Sequence, residues 1–189
     1  SYTIKLHSSE KTTCKENLII TDNLPLSIEI DKNLSCVYFQ ISKHIKANEK
    51  IQQSVELMLR KLYSEMVSLG IRPAFQLNSL RFLNPDNKHK NNQFLDTLKS
   101  IGNWSFALDV PVATCDVYFN NIYSANSIIN IIMCGIIDSN NRFVNSEIKN
   151  EQKIILVSPD VKKNSSSSPA YKDKLIMEAV LKCIKNNIV

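Results

Sequence analysis

Leu77-Asn-Ser-Leu-Arg-Phe-Leu-Asn-Pro-Asp-Asn87 leads into an amphipathic segment, Asn91–Leu108, and then into Asp109-Val-Pro-Val-Ala-Thr-Cys-Asp-Val-Tyr-Phe-Asn-Asn121. The order is strand, turn, helix, strand. The first strand, Pro73–Phe82, sets Phe75, Leu77 and Ser79 on one side and Leu80 and Phe82 on the other. Asn84-Pro85-Asp86-Asn87 has turn chemistry. The helix carries Phe94, Leu95, Leu98, Ile101 and Ser105 along one side. Gly102 in its middle costs about 1 kcal/mol relative to Ala, so a close helix–sheet contact is expected there. Val110–Phe119 alternates and closes the unit as a strand.

The pattern extends outward from this centre. Ala47–Leu69 repeats apolar residues at Ile51, Val55, Met58, Leu59, Leu62, Met66 and Leu69, the spacing of a helix. Gly70 suits a left-handed cap at its end, and Met58 and Met66 read as core filler. Leu18–Ile20, Leu26–Ile30 and Cys36–Ile41 read as strands upstream, with Pro25 fitting an edge. Ile128–Ile137 and Lys153–Val157 read as strands downstream. Residues 1–16 are polar and are expected to form a loose arm or edge strand.

The resulting order is β-β-β-α-β-α-β-β-β, then a linker and a helix. This is an α+β class, with two helices on one face of a mixed sheet. Residues 1–161 form the domain and 162–170 a polar linker. Residues 171–189 form an amphipathic helix through Leu175, Ile176, Ala179, Val180, Cys183 and Ile184, which belongs to a following unit or docks onto a partner. The second face of the sheet is apolar too. Two helices do not cover both faces, so a further sheet, from a sister domain or a second chain, is expected against the open one.

Composition narrows the function. A chain of 189 residues buries a core without disulfides or metals. The net charge of +5 is mild and the lysines are scattered, which argues against nucleic acid. The longest apolar run, Ile128–Ile137, is too short to span a bilayer, and the polar start is no signal peptide. The chain does not begin with Met, as a processed or trimmed product would not. Five cysteines without CxxC spacing fit reduced thiols and a cytoplasmic location better than a disulfide framework or zinc site. With only three glycines, at 70, 102 and 135, no glycine-rich phosphate loop is present.

The central residues resemble a known family. Leu77–Pro85 matches a T-[DN]-C-L-N-F-G-N-P pattern. Gln93-Phe-Leu-Asp-Thr-Leu-Lys-Ser-Ile-Gly102 matches Q-F-V-E-A-V-x-G-I-G. Pro111–Asn121 matches P-V-V-S-G-N-V-S-L-Y-N. These belong to the PurM-like N-terminal (A-type) domains of aminoimidazole ribonucleotide synthetase and formylglycinamidine ribonucleotide synthase, and the second such domain of the latter is most similar. Gly135–Ser146 resembles a further family segment. Tyr171–Val189 resembles the first helix of the following B-type domain, which normally leads into S-A-H-D-V-S-D-G-G; this chain stops first. The resemblance implies an ATP-dependent ligase of purine biosynthesis, ATP or ADP with magnesium as ligands, and pairing of the sheet with another A-type domain. It also implies an auxiliary-nucleotide and scaffold role for this domain.

Carried onto this chain, the motif is altered at its ligand-facing positions. Asn78, Leu80, Phe82, Asn84 and Pro85 agree with it. Arg81 stands for Asn, Leu83 for Gly, Thr114 for Ser, Cys115 for Gly, Asp116 for Asn and Tyr118 for Ser. Leu83 and Cys115 add side chains where backbone should approach phosphate, and Asp116 adds negative charge there. Arg81 offsets it, by binding phosphate or by pairing with Asp116, and pairing is the favoured reading. The residues that the resemblance nominates for nucleotide or phosphate are therefore Asn78, Arg81, Asn84 and Asp116. No catalytic residue and no metal site is assigned. His7, His44 and His89 are scattered and read as surface residues, although Arg81, His89 and Lys90 could make a weak anion site. Cys115 reads as a buried structural thiol. The rival reading is a non-enzymatic, degenerate paralogue that acts as a pairing domain.

Overall fold

A computed structural model describes residues 26–85, 91–138 and 169–185. The expected strands Leu18–Ile20 and Lys153–Val157, the arm at residues 1–16, the linker, His7, His89 and Lys90 lie outside them. The elements are β1 (Leu26–Asp31), β2 (Leu34–Lys46), α1 (Ile51–Ser68), β3 (Pro73–Phe82), α2 (Asn91–Leu108), β4 (Val112–Phe119), β5 (Asn126–Asp138) and α3 (Pro169–Lys185). A short 3-10 turn, Asn121–Ser124, joins β4 to β5.

The described strands form one sheet of five in the order β1-β2-β5-β3-β4. Among the described residues only β3 and β4 run parallel, and α2 is the crossover that such a pair needs. Long β5 lies at the centre, antiparallel to β2 over its whole length and to β3 on its other side. The expected α+β class with a mixed sheet is what forms. β2 and β5 both extend beyond their apolar centres, because mutual pairing carries polar residues such as Ser42 and Asn130 into the ladder.

One face of the sheet is covered by α1 and α2. Val37, Ile41 and Ile45 of β2, Ile129, Ile131 and Met133 of β5, and Leu80 and Phe82 of β3 are buried there. Val55, Met58, Leu59, Leu62 and Met66 meet them from α1. Met58 and Met66 are core, as their helical spacing predicts. Phe82, Phe94 and Phe119 add an aromatic cluster, with Phe94 edge-on to both others.

The helix ends are well defined. Gly70 has φ of 76°, and Ile71 N–H donates to Met66 O while Gly70 N–H donates to Val67 O. This is a Schellman cap, the role expected of Gly70. α2 ends the same way, with Val110 N–H donating to Ser105 O, but Asp109 holds the left-handed position at φ of 58°. Gly102 does not mark a close contact: it is exposed, and a Cβ there would meet nothing within 4 Å. The close approach falls at Gly135 instead. A Cβ on Gly135 would lie 2.4 Å from Ile71 Cγ2 and 2.6 Å from Met66 Cε, because the end of α1 presses on β5 there.

α3 packs on the helical layer of this same chain. Met177, Val180 and Leu181 lean on the core, and Arg60 of α1 pairs with Asp173 at 2.6 Å. Among the described residues, no helix is long and apolar enough to cross a membrane.

Candidate functional site

Strand alternation sorts the residues of the central motif onto two faces. On β3, Gln76, Asn78, Leu80 and Phe82 point under the helices and are buried. Leu77, Ser79 and Arg81 point to the open face and are half-buried. Asn78 is therefore 3% exposed, on the opposite side from Arg81 and Asp116. Neither its Oδ1 nor its Nδ2 has a hydrogen-bond partner, nor does Gln76 Oε1. The four nominated residues do not converge on one surface.

Arg81 and Asp116 do come together. Ser79 lies opposite Asp116 and Arg81 opposite Tyr118 in the β3–β4 ladder, so Arg81 and Asp116 are diagonal neighbours on the open face. Arg81 Nη2 meets Asp116 Oδ2 at 2.7 Å. Arg81 Nη1 donates to Leu80 O at 3.1 Å, and the guanidinium lies 5.7 Å from the centre of the Tyr118 ring. Tyr118 accepts from Asn120 Nδ2 and stands edge-on to Tyr123. The guanidinium is thus engaged by a carboxylate, a carbonyl and an aromatic face. The favoured sequence reading, pairing, is the arrangement present.

Ligands of sheets with parallel strands sit beyond the strands' carboxyl ends. Among the described residues that corner is filled. Leu83, Phe82, Ala47, Gln93 and Ser127 line a cleft with no room for a water-sized sphere. Gln93 Nε2 donates to Lys46 O at 3.3 Å and to Ala47 O at 3.4 Å, and Gln93 Oε1 accepts from Ser127 Oγ at 2.9 Å. Gln93 ties the β2–α1 corner to the start of β5. Spacing along the chain does not reveal this role; its signal was the match of Gln93 to the Q that opens the family's helix pattern. Asn84 is half-buried just past β3. Among the described residues no cluster of His, Cys, Asp and Glu could hold a metal. These residues do not fit a nucleotide or its magnesium: Leu83 stands in the corner, and Arg81 is already engaged.

Cys115 corrects an expectation. It is exposed on β4, not buried. Its thiol is pushed up by partial burial and then by the neighbouring Asp116 carboxylate, so it is a poor nucleophile. His44 is exposed, as expected, at the open-face end of β2.

The open face is the larger feature. Cross-strand partners arrange it in rows. Tyr38, Cys134 and Phe75 form one row, and Gln40, Ile132, Leu77 and Thr114 the next. Then follow Ser42, Asn130, Ser79 and Asp116, and finally His44, Ile128, Arg81 and Tyr118. One half of the face is apolar and the other polar. Ile136, 50% exposed, and Cys36 extend the apolar half. Cys36 and Cys134 hydrogen-bond there, and burial pushes the Cys134 thiol up to about 12.

The comparisons with known proteins agree with this fold. No family model matches the chain. The PurL subunit of phosphoribosylformylglycinamidine synthase from Chlorobium luteolum is 22% identical over 186 residues, covering 86% of this chain and 24% of that protein. The Staphylococcus aureus subunit is 32% identical over 74 residues, 39% of this chain and 10% of its own length. Thermotoga maritima PurL, solved in complex with ADP, superimposes with a TM-score of 0.64 at 14% identity, over 89% of this chain and 27% of its own. The chain is a divergent domain related to PurL. It spans about a quarter of the length of the Chlorobium relative. Its PurM-like fold rests on the structural likeness.

Proposed function

We propose that this chain is a divergent A-type domain of a phosphoribosylformylglycinamidine synthase, closest in kind to the second such domain. Its work is structural: it offers its open sheet face to another A-type domain. The observation that carries this is the half-apolar open face, where Leu77, Ile132 and Tyr38 are only half-buried and no described element lies over them. Burial of such a face by a second sheet stabilises both partners. The relatives act as subunits of a synthase, and the same setting in purine biosynthesis, in the cytoplasm, is proposed for this chain.

The auxiliary-nucleotide role is the weaker part of the reading. Arg81 is occupied by Asp116, Asn78 faces the core, and Leu83 stands where glycine would leave space. The proposed role therefore excludes catalysis by this chain alone. Titration calorimetry with ATP and ADP, each with magnesium, is expected to give no binding heat. Binding in the micromolar range would restore the nucleotide role. Mixing with a separately purified A-type domain of the same synthase is expected to yield a complex on gel filtration. If no complex forms with any A-type domain, the pairing role fails.

A second reading, a non-enzymatic paralogue kept for pairing alone, is favoured by the same filled corner. Purine-independent growth of a strain whose synthase lacks only this domain separates the two: growth that depends on supplying this chain supports the synthase reading.

A further inference from the structure

Two of the described cysteines touch. Cys36 lies on β2 and Cys134 on β5, and their thiols hydrogen-bond. The ladder explains how they meet. Cys36 is opposite Ile136 and Cys134 is opposite Tyr38, so the two are diagonal neighbours across an antiparallel pair. Both stand in the apolar half of the open face, where Phe75 of β3 lies opposite Cys134 on its other side. Cys134 is 4% exposed and Cys36 is half-buried, so one sulfur is enclosed and the other is nearer to solvent. Nothing in the proposed function uses this pair.

The diagonal decides what the pair can do. A disulfide needs sulfurs about 2.0 Å apart and Cα atoms within about 7 Å. Diagonal neighbours in an antiparallel sheet have Cα atoms about 7–8 Å apart, so closing that bond would bend both strands. An ion held between the sulfurs asks for no such approach. Among the described residues no group of three or more His, Cys, Asp and Glu could gather around a metal. The donor set is therefore two sulfurs. Structural zinc and iron–sulfur clusters each take about four ligands, and hard cations take oxygen. Soft thiolates select monovalent copper, which two sulfurs in line satisfy. We propose that Cys36 and Cys134 form a two-thiolate site for a monovalent copper ion.

The binding step balances without a redox change. The ion joins the two thiols as Sγ–Cu–Sγ, and two protons leave to solvent. Copper stays monovalent and neither sulfur is oxidised. Burial pushes both thiols up, Cys134 to about 12, so protons compete for the site. Borderline ions lose that competition, and a strongly thiophilic ion wins it. The bound centre carries one net negative charge. Half-buried Cys36 keeps that charge near water and gives the ion a way in. The site is present in the single chain and does not rest on pairing of the open face.

The test uses the whole 189-residue chain with Cys14, Cys115 and Cys183 each changed to Ser, so that only the pair remains. Monovalent copper is supplied without oxygen as its coloured bicinchoninate complex, and the loss of colour is read. The chain is expected to withdraw one copper ion per molecule, with two sulfur neighbours in X-ray absorption at the copper edge. Release of two protons makes the affinity fall about a hundredfold for each pH unit downward. Cys36→Ser in the same background is expected to weaken binding at least about a hundredfold, with the circular dichroism of the fold unchanged. Ile136→Ser alters the same patch without removing a sulfur and is expected to keep the copper. No copper withdrawn, one ion shared by two chains, or equal affinity in Cys36→Ser overturns the proposal. Rapid formation of a Cys36–Cys134 disulfide with oxidised glutathione, which would leave as two reduced glutathiones, also overturns it, because the sulfurs would then approach as a redox pair.

Discussion

Arg81 and Asp116 meet at 2.7 Å across the parallel pair β3–β4, two residues apart in register. Asp116 is 63% exposed, so the pair is screened and its net contribution is small, about 0.2–1 kcal/mol. A double-mutant cycle of Arg81→Ala and Asp116→Asn, read by urea denaturation, is expected to give a coupling energy in that range. A coupling above about 2 kcal/mol would place the pair in a buried setting instead.

Asp116 also acts on its neighbour in sequence. Its carboxylate adds to burial in raising the Cys115 thiol. Asp116→Asn lowers that pKa and leaves more thiolate at pH 8. Alkylation of Cys115 by iodoacetamide, followed by mass spectrometry, is expected to be faster in the variant. Equal rates would mean that burial alone sets the thiol.

Cys134 gives the chain a loss of stability in alkali. Its folded pKa, about 12, lies above the ordinary thiol value of 9.0. Below pH 9 both folded and unfolded states hold the proton, and the contribution is fully present. Between about 9 and about 12 the unfolded state releases a proton that the folded state keeps, so stability falls as pH rises. Cys134→Ser, or better Cys134→Ala, is expected to flatten that fall in denaturation curves taken from pH 8 to 11. An unchanged slope would exclude the thiol as its source.

Two helix positions run against local preference. Gly102→Ala fills open space and is expected to stabilise α2 by about 1 kcal/mol. Asp109→Gly relieves a left-handed non-glycine residue and is expected to gain about 1 kcal/mol. Gly135→Ala is the contrast. Its methyl meets Ile71 and Met66, so a loss of about 1–3 kcal/mol is expected. Thermal melts rank the three, and a stabilising Gly135→Ala would contradict the packing described here.

Asn78 is buried with both amide atoms unpartnered. Asn78→Leu removes that cost and is expected to leave stability unchanged or raise it by about 1–2 kcal/mol. A fall of several degrees in the melting temperature would show that an ordered water satisfies the amide.

Much of the fold was legible because periodicity reports it directly. The spacing from Ile51 to Leu69 and the alternation of β3 carried enough information to place helix and strand, and turn chemistry set the break after β3. The site was harder to read. Whether Arg81 binds a ligand or a carboxylate depends on a diagonal across two strands, which spacing along one strand does not contain. Asn78 matches the family motif by position, yet its side chain lies on the helix side. Gly102 and Gly135 show the same limit: the cost of a mid-helix glycine is visible in sequence, but the tight contact lies in a strand pressed by a distant helix end. The exposure of Cys115 follows from β4 lying at the sheet edge, and strand order is set by long-range pairing.

That long-range pairing also shapes how the chain must be made. Lys46 pairs with Asn126 and Leu34 with Asp138, separations of 80 and 104 residues. β5, which joins β2 to β3, leaves the ribosome after both of them. Until it arrives, β2 and β3 have no shared neighbour and their apolar sides stay open to water. The α1–β3 and α2–β4 segments can gather early through local contacts, but the sheet cannot close around its centre before residue 138 has emerged. Folding is then limited by one late, large loop closure. A ribosome-bound chain ending shortly before Asn126 should be protease-sensitive throughout, and one extending well past Asp138 should not.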